Sequence, residues 1–499
     1  MSRIVFAYPD FENLGVEYLM AVCREAGHEV DFVGYEAGNP FFGKKSRGLR
    51  FERVAASIAR KEPHIAAFSC VTDNYQFQLS CAGALKKIMP EVTVLFGGIH
   101  PTAVPERVLE NDEVDGLAIG EAERSLVDFL ERGGGNNGFA LPEEPVEGIV
   151  FKRVGRLFGE IQEGPLTEDL DSLPFPAKDI ALKELGDRPL GYFIMTSRGC
   201  PYNCSFCFNS FFLKTRGNKA IRQRSVENVI EELLWAKSQF GIEYVAFWDD
   251  SFTSSKKWIR EFGGLYRREI GLPFYCNAIP RLINPDVADA LSEAGCTYVQ
   301  LGVQSLSREI CTEVLNRRWD RDNIAEAVKL LKRAGIMVQV DHMLGLPGDT
   351  VRIEEESVLF YNRIRPDLIS VFWLVYYPKT AITDAALEKG RIDGNRLDRL
   401  EEGLPLSGES CGTIHDPSAC LDDPRPYYAV SFLMNYLPFM PRWLVSFLVR
   451  SGAYRVFRFE NFLVSHALPR AIHSVVHRKY FHRRLLTGFL KRVFGRWTG

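Results

Sequence analysis

The sequence is short of the features that mark secreted, fibrous and polytopic membrane proteins. No apolar run of the signal-peptide kind opens it, no low-complexity tract or short-period repeat interrupts it, and only nine of its 499 residues are histidine. Eleven cysteines are too sparse over this length for a disulfide scaffold, so a reducing cytoplasm is the expected setting. Net charge is only −3, and no basic stretch of the main body invites nucleic acid, so no such partner is expected. A spanning helix needs ~20 largely uninterrupted apolar residues. The best candidate, 427–449, is broken by Pro438, Pro441 and Arg442.

What is present is an ordinary globular composition, 46% apolar and 25% charged, on a chain too long for one core. The charge is unevenly placed. From Pro441 onward twelve Lys or Arg stand against one acid, Glu460, while the rest of the chain carries 49 basic and 63 acidic residues. Two readings of this aromatic, basic end stay open. Residues 443–497 form helices lying in a membrane interface, at the inner face of the membrane, or they form a helical cap whose apolar faces pack on their own domain.

Hydrophobic runs alternating with helical periodicity open the chain: strands at 3–8, 29–33, 65–69, 93–96 and 116–118 with helices between them. This pattern predicts a doubly wound α/β domain over 1–135. Gly133 to Gly138 break the periodicity, and 136–185 reads as a linker with a hairpin. Alternation resumes with strands at 192–196, 244–248, 274–277, 298–302, 337–341 and 368–375. Six β-α units of this spacing predict a partial (β/α)6 barrel over 186–385, with its chemistry at the carboxyl ends of the strands. Residues 386–499 complete the chain as a helical C-terminal region.

One motif carries most of the chemical information. Ser197-Arg-Gly-Cys-Pro-Tyr-Asn-Cys-Ser-Phe-Cys-Phe-Asn209 follows the first barrel strand and places Cys200, Cys204 and Cys207 at spacings of four and three. Thiolates are the soft ligands an iron–sulfur cluster requires, and three of them leave a fourth iron open to chelation by another molecule. A structural zinc site would want a fourth Cys or His and usually a second Cys-x2-Cys pair; the sequence has no such pair.

The spacing Cys-x3-Cys-x2-Cys, with Phe206 before the last cysteine, resembles the radical S-adenosylmethionine superfamily. The resemblance implies that Cys200, Cys204 and Cys207 hold a 4Fe-4S cluster. It also implies that S-adenosylmethionine binds the open iron and that reductive cleavage yields a 5′-deoxyadenosyl radical, with electrons from a donor such as flavodoxin or ferredoxin. Later segments resemble the family's S-adenosylmethionine contacts. Gly302-Val-Gln-Ser305 offers Gln304 and Ser305; Phe247-Trp-Asp-Asp-Ser251 offers Asp249 or Asp250 to the amino group; Gly345-Leu-Pro-Gly-Asp-Thr350 is a recurrent family turn. At Tyr376-Tyr-Pro-Lys-Thr380, Lys379 stands where the family often has glycine.

The segments Phe68-Ser-Cys-Val-Thr-Asp-Asn-Tyr75, Phe96-Gly-Gly-Ile-His-Pro-Thr102 and Gly120-Glu121 resemble the cobalamin-binding domain that precedes such barrels. They imply a cobalamin site with Thr72, Gly97 and Gly98 among its residues. The Asp-x-His-x-x-Gly pattern that supplies an axial histidine elsewhere is missing, and His100 reads as a turn residue rather than a metal ligand. Cys70, Cys81, Cys296 and Cys311 read as packed small hydrophobes; Cys411 and Cys420 lack partners for a second cluster. The function implied is a cobalamin-dependent methyltransferase acting on an unactivated carbon of a small molecule. The alternatives are a radical cyclase or oxidase acting on a lipidic or tetrapyrrole substrate (porphyrin ester, carotenoid or hopanoid-like lipid), and a non-catalytic cobalamin sensor.

Overall fold

The computed structural model describes residues 1–9, 12–35, 51–135, 138–153, 156–185, 191–217, 221–318, 320–404, 420–421, 423–456 and 468–469. The chain forms two compact units. The first comprises Met1–Arg188, Phe206–Arg224 and Tyr376–Thr413, the second Pro189–Ser205, Ser225–Val375 and Ile414–Gly499.

In the first unit, β1 (Arg3–Pro9), β2 (Glu29–Tyr35), β3 (Ile65–Ser69), β4 (Thr93–Gly97) and β5 (Gly116–Ala118) form a parallel sheet in the order β2-β1-β3-β4-β5. The sheet is covered on both faces. Val5 and Ala7 of β1 pack with Phe68, Leu85 and Phe96 on one side, while Ile4, Phe6 and Tyr8 pack with Met20, Phe129 and Leu130 on the other. A strand whose successive residues are all apolar is the signature of burial on both faces.

Two short strands that the sequence reading left in the linker, β6 (Ile149–Arg153) and β7 (Arg156–Phe158), continue this sheet antiparallel beyond β5. The 136–185 stretch is therefore part of the first unit. The helix Lys178–Leu185 is joined to it by a buried ion triad: Lys178 Nζ lies 3.0 Å from Glu17 Oε2 and also meets Glu12. Burial alone would lower the Lys178 pKa, but Glu17 and Glu12 more than offset it and hold the ammonium charged.

In the second unit, β8 (Tyr192–Ile194), β9 (Val245–Phe247), β10 (Phe274–Ala278), β11 (Cys296–Gln304), β12 (Met337–Leu344) and β13 (Leu368–Trp373) run parallel in strictly sequential order, each pair separated by helix. Sequential order with helical crossovers winds the sheet in one sense into an open (β/α)6 barrel. Alternate residues divide between its two faces. Val245, Phe247, Cys276, Val299, Leu301, Val338 and Val340 pack against the helices, whereas Tyr244, Ala246, Tyr275, Tyr298 and Met337 form a separate small cluster.

The C-terminal region divides. The helix Arg425–Tyr436 is built into the second unit's core through Tyr427, Ala429, Val430, Leu433 and Met434. The helix Arg442–Ser451 buries Val445 and Val449 yet leaves Trp443 70% and Phe447 58% exposed. Most of the basic segment beyond it lies outside the described residues. Among the described residues no helix is long and apolar enough to cross a membrane.

Lys178→Ala would leave Glu12 and Glu17 facing each other without their cation. Loss of one partner from a buried ion group costs about 3–5 kcal/mol. The first unfolding transition in urea should shift down accordingly, and Glu17→Gln in the Lys178→Ala background should recover part of the loss; an unshifted transition would refute the triad's role.

Candidate cluster and cofactor sites

The cysteine loop begins where β8 ends, and its entry is fixed by one carboxylate. Asp249, directly after β9 and fully buried, accepts from Thr196 N at 3.0 Å, Thr196 Oγ1 at 2.7 Å and Ser197 Oγ at 2.6 Å. Burial raises its pKa, and the donors from Ser197 and Thr196 pull it back. Both oxygens are tied to the loop, which gives Asp249 a positioning role at its entry. Asp250, next to it, is solvent-exposed.

The loop itself turns through Gly199 at φ +85°, and Cys200, Cys204 and Cys207 are all half-buried. Its middle is held by a segment that sequence reading passed over. Ser205 N donates to Leu315 O at 3.1 Å, and Asn316 Nδ2 donates to Asn203 O at 2.8 Å from a residue itself in the left-handed region, φ +51°. Arg317 donates to Gly302 O at 2.7 Å and lies against Cys204. Burial pushes the Cys204 thiol up, and the Arg317 guanidinium opposes this.

This donor set fits a cluster. Three thiols on an irregular, half-open loop suit a cubane, whose ligands bind different irons. Cys411 lies outside the described residues, and Cys420 Sγ sits 3.2 Å from Leu374 O. Cys70, Cys81, Cys296 and Cys311 are buried.

At the carboxyl end of β11, pairing slips between Gly302 and Gln304, and Gln304 takes φ +71°. Ser305 is fully buried, its Oγ accepting from Ser307 N at 3.2 Å. The bulge turns Gln304 off the strand, whereas Ser305 closes the turn. After β12, Gly345 (φ +78°) donates to Asp349 Oδ2 at 3.1 Å, and Thr350 caps the helix Val351–Ile364. Lys379, at the position where glycine was expected, adopts φ +62°. The glycine-type backbone is thus kept by a lysine, with Nζ paired to Glu401 at 3.0 Å.

The sheet also carries a polar ladder invisible to motif reading. Gln300 and Gln339 each donate to Asp341, at 2.6 and 2.8 Å, and Tyr275 donates to Asn277 Oδ1 at 2.8 Å. Alternating polar residues within otherwise buried strands were the available signal.

In the first unit, Thr72, Gly97, Gly98 and His100 gather at the carboxyl ends of β3 and β4, where open α/β sheets bind ligands. Gly98 is required by its own chain: at φ +93°, a Cβ would stand 2.7 Å from Cys70 O. A Cβ at Gly97 would meet nothing closer than 3.4 Å. His100 is fully buried, shares a 3.1 Å hydrogen bond with Thr72 Oγ1, and packs on Tyr75 with ring centroids 4.4 Å apart. Burial lowers its pKa to about 4, so the ring is neutral. His100 is thus engaged inward, between Thr72 and Tyr75.

Behind the Gly345 turn, burial raises Asp349 to about 9 and Glu354 to about 8, while it lowers His342 to about 4. His342 Nε2 lies 2.6 Å from Glu354 and Nδ1 2.9 Å from Tyr361 OH.

Residues 194–360 match the family model of the radical SAM superfamily, and residues 4–130 match that of the B12 binding domain. The chain is 30% identical to an uncharacterized methyltransferase of Pyrococcus horikoshii, over 75% of this chain and 78% of that protein. It is 25% identical to the anaerobic magnesium-protoporphyrin IX monomethyl ester cyclase of Cereibacter sphaeroides, over 75% and 62%. The radical S-adenosylmethionine methyltransferase TsrM of Kitasatospora setae shares the fold, with a TM-score of 0.61 at 16% identity over 78% of this chain and 76% of that one.

The two raised carboxyl groups give a pH test. Their folded pKa values exceed the unfolded ones, so their contribution is fully present below about pH 4 and is lost as pH rises toward 8–9. Asp349→Asn removes one of these ionisations and should lessen the loss of thermal stability between pH 5 and 9. A slope equal to that of the unaltered protein would show that Asp349 titrates normally.

Proposed function

The chain belongs to the radical S-adenosylmethionine superfamily in its form with an N-terminal B12 binding domain, and from that premise we propose that it is a cobalamin-dependent methyltransferase acting on carbon of a small molecule. The observation that carries this reading is the three-thiol loop at the end of the first strand of a sequential (β/α)6 sheet, in a chain whose first 130 residues form the B12-binding-type fold. Cys200, Cys204 and Cys207 hold the cluster; Asp249 and Arg317 fix the loop around them. Asp250 and Gln304 line the approach for S-adenosylmethionine, and Ser305 closes the turn behind Gln304. Thr72, Gly97 and Gly98 lie at the cobalamin end of the first unit. When bound, the cluster and S-adenosylmethionine supply a radical able to take hydrogen from carbon, and the corrinoid supplies a methyl group. Electrons come from a donor of the flavodoxin or ferredoxin kind.

A second reading, oxidative cyclisation of a tetrapyrrole or other hydrophobic substrate, is favoured by the similarity to the cyclase. Anaerobic reconstitution with reductant and S-adenosylmethionine separates the readings. Four irons, retained cobalamin, 5′-deoxyadenosine and a product gaining one methyl group are expected. A product that only loses hydrogens would replace the methyltransferase reading with the cyclase one. Cys204→Ala should abolish 5′-deoxyadenosine formation; persistence of that product would overturn the assignment of the triad.

The exposed pair Trp443 and Phe447, one turn apart and flanked by Arg442 and Arg450, supports contact with an anionic membrane surface by this helix and the basic segment after it. The full chain should sediment with phosphatidylglycerol vesicles, and Trp443→Ser with Phe447→Ser should weaken this several-fold. No sedimentation of the unaltered chain would reject the contact.

A further inference from the structure

The last cluster cysteine lies in a segment, Phe206–Arg224, that folds as part of the first unit. Cys207 O accepts from Ser210 N at 3.0 Å and Ser210 Oγ at 2.7 Å, which starts the helix Asn209–Arg216. Phe208 packs against the first unit's core. At the far end of the helix, the Arg216 guanidinium lies 3.9 Å from the centroid of the Phe212 ring, reaches Glu121 at 3.3 Å and also pairs with Glu163. Arg222 grips both oxygens of Glu121, one at 2.9 Å, and donates to Thr167 O at 2.7 Å.

All four side chains are largely withdrawn from water: Arg222 is 6% exposed, Arg216 8%, Glu121 15% and Glu163 18%. Two cations and two carboxylates make the network neutral. It is built around Gly120, at φ +82°, where a Cβ would stand 3.0 Å from Arg216 Nη2 and 3.1 Å from Glu163. Buried ion networks add little net stability compared with apolar packing, but forked guanidinium–carboxylate pairs fix geometry sharply. A helix of eight residues is a rigid lever of about 12 Å, so what fixes Arg216 also fixes the peptide at Cys207.

We propose that Glu121, acting through Arg216 and Arg222, is a positioning residue for the third cluster thiolate, so that a residue 86 positions upstream of Cys207 in the B12-binding-type domain governs how firmly the cluster is held. The inference rests on Cys207 being a cluster ligand.

The test uses the full chain, reconstituted anaerobically, with Glu121→Ala, Glu121→Gln and Arg222→Lys. Iron release to bathophenanthroline, the paramagnetic spectrum of the reduced cluster, retained cobalamin and circular dichroism are measured together. Glu121→Ala should release iron several-fold faster and alter the spectrum, with cobalamin and fold retained. Arg222→Lys should resemble it, because an ammonium cannot reproduce the fork, and Glu121→Gln should fall between. If Glu121→Ala does not fold, the two milder variants decide. Folded variants releasing iron at the unaltered rate would overturn the proposal, as would parallel loss of iron and cobalamin. Absence of any cluster in the unaltered chain would instead overturn the cluster reading itself.

Discussion

The structure depends on holding an irregular loop of three thiols in place by contacts made from outside the loop. A loop that must offer three sulfurs outward cannot spend its backbone on a strand or helix ladder, so its conformation has to be imposed from outside. Asp249 does this at the entry. Its desolvation is tolerable because three donors from Thr196 and Ser197 surround it, and the same bonds leave the chain little freedom before Gly199. The middle is held by backbone acceptors at Val314 and Leu315 and by Asn316 in a left-handed conformation. That such a residue is tolerated shows that the surrounding contacts outweigh its local cost.

Much of the fold was legible because periodicity and spacing are local. The fully apolar strands of the first unit and the six evenly spaced strands of the second fall where the hydrophobic pattern puts them. What escaped was non-local or short. The hairpin expected in 136–185 is there as β6 and β7, but its joining the first sheet antiparallel at the edge was not legible, since no helix follows to announce it. The allotment of 206–224 and 376–413 to the first unit could not be read from a chain that passes through them without a break in composition.

The site was legible where residue type dictates chemistry, as with the three cysteines, and misleading where one residue type serves several ends. Asp249 and Asp250 are adjacent acids, yet the first is buried as a structural acceptor and the second exposed, a difference set by which way each points from the chain rather than by residue type. Gly98 is needed because the Cys70 backbone approaches it. Lys379 shows the converse: a positive φ survives without glycine, so the glycine of a motif can be lost while its backbone shape remains. Arg317 carried no signal at all, because its role depends on the bulge that brings Gly302 O and Cys204 within its reach.

The same reasoning explains why Cys204 lies beside a cation. Three thiolates close together repel one another before any metal arrives, and burial makes the charged form costlier still. Burial raises the Cys204 thiol, while Arg317, anchored on Gly302 O, opposes this and favours the thiolate that a metal binds. A cluster with one open iron needs a loop held from outside in this way, since a loop free to rearrange could close a fourth protein ligand over that iron and exclude the molecule meant to bind there.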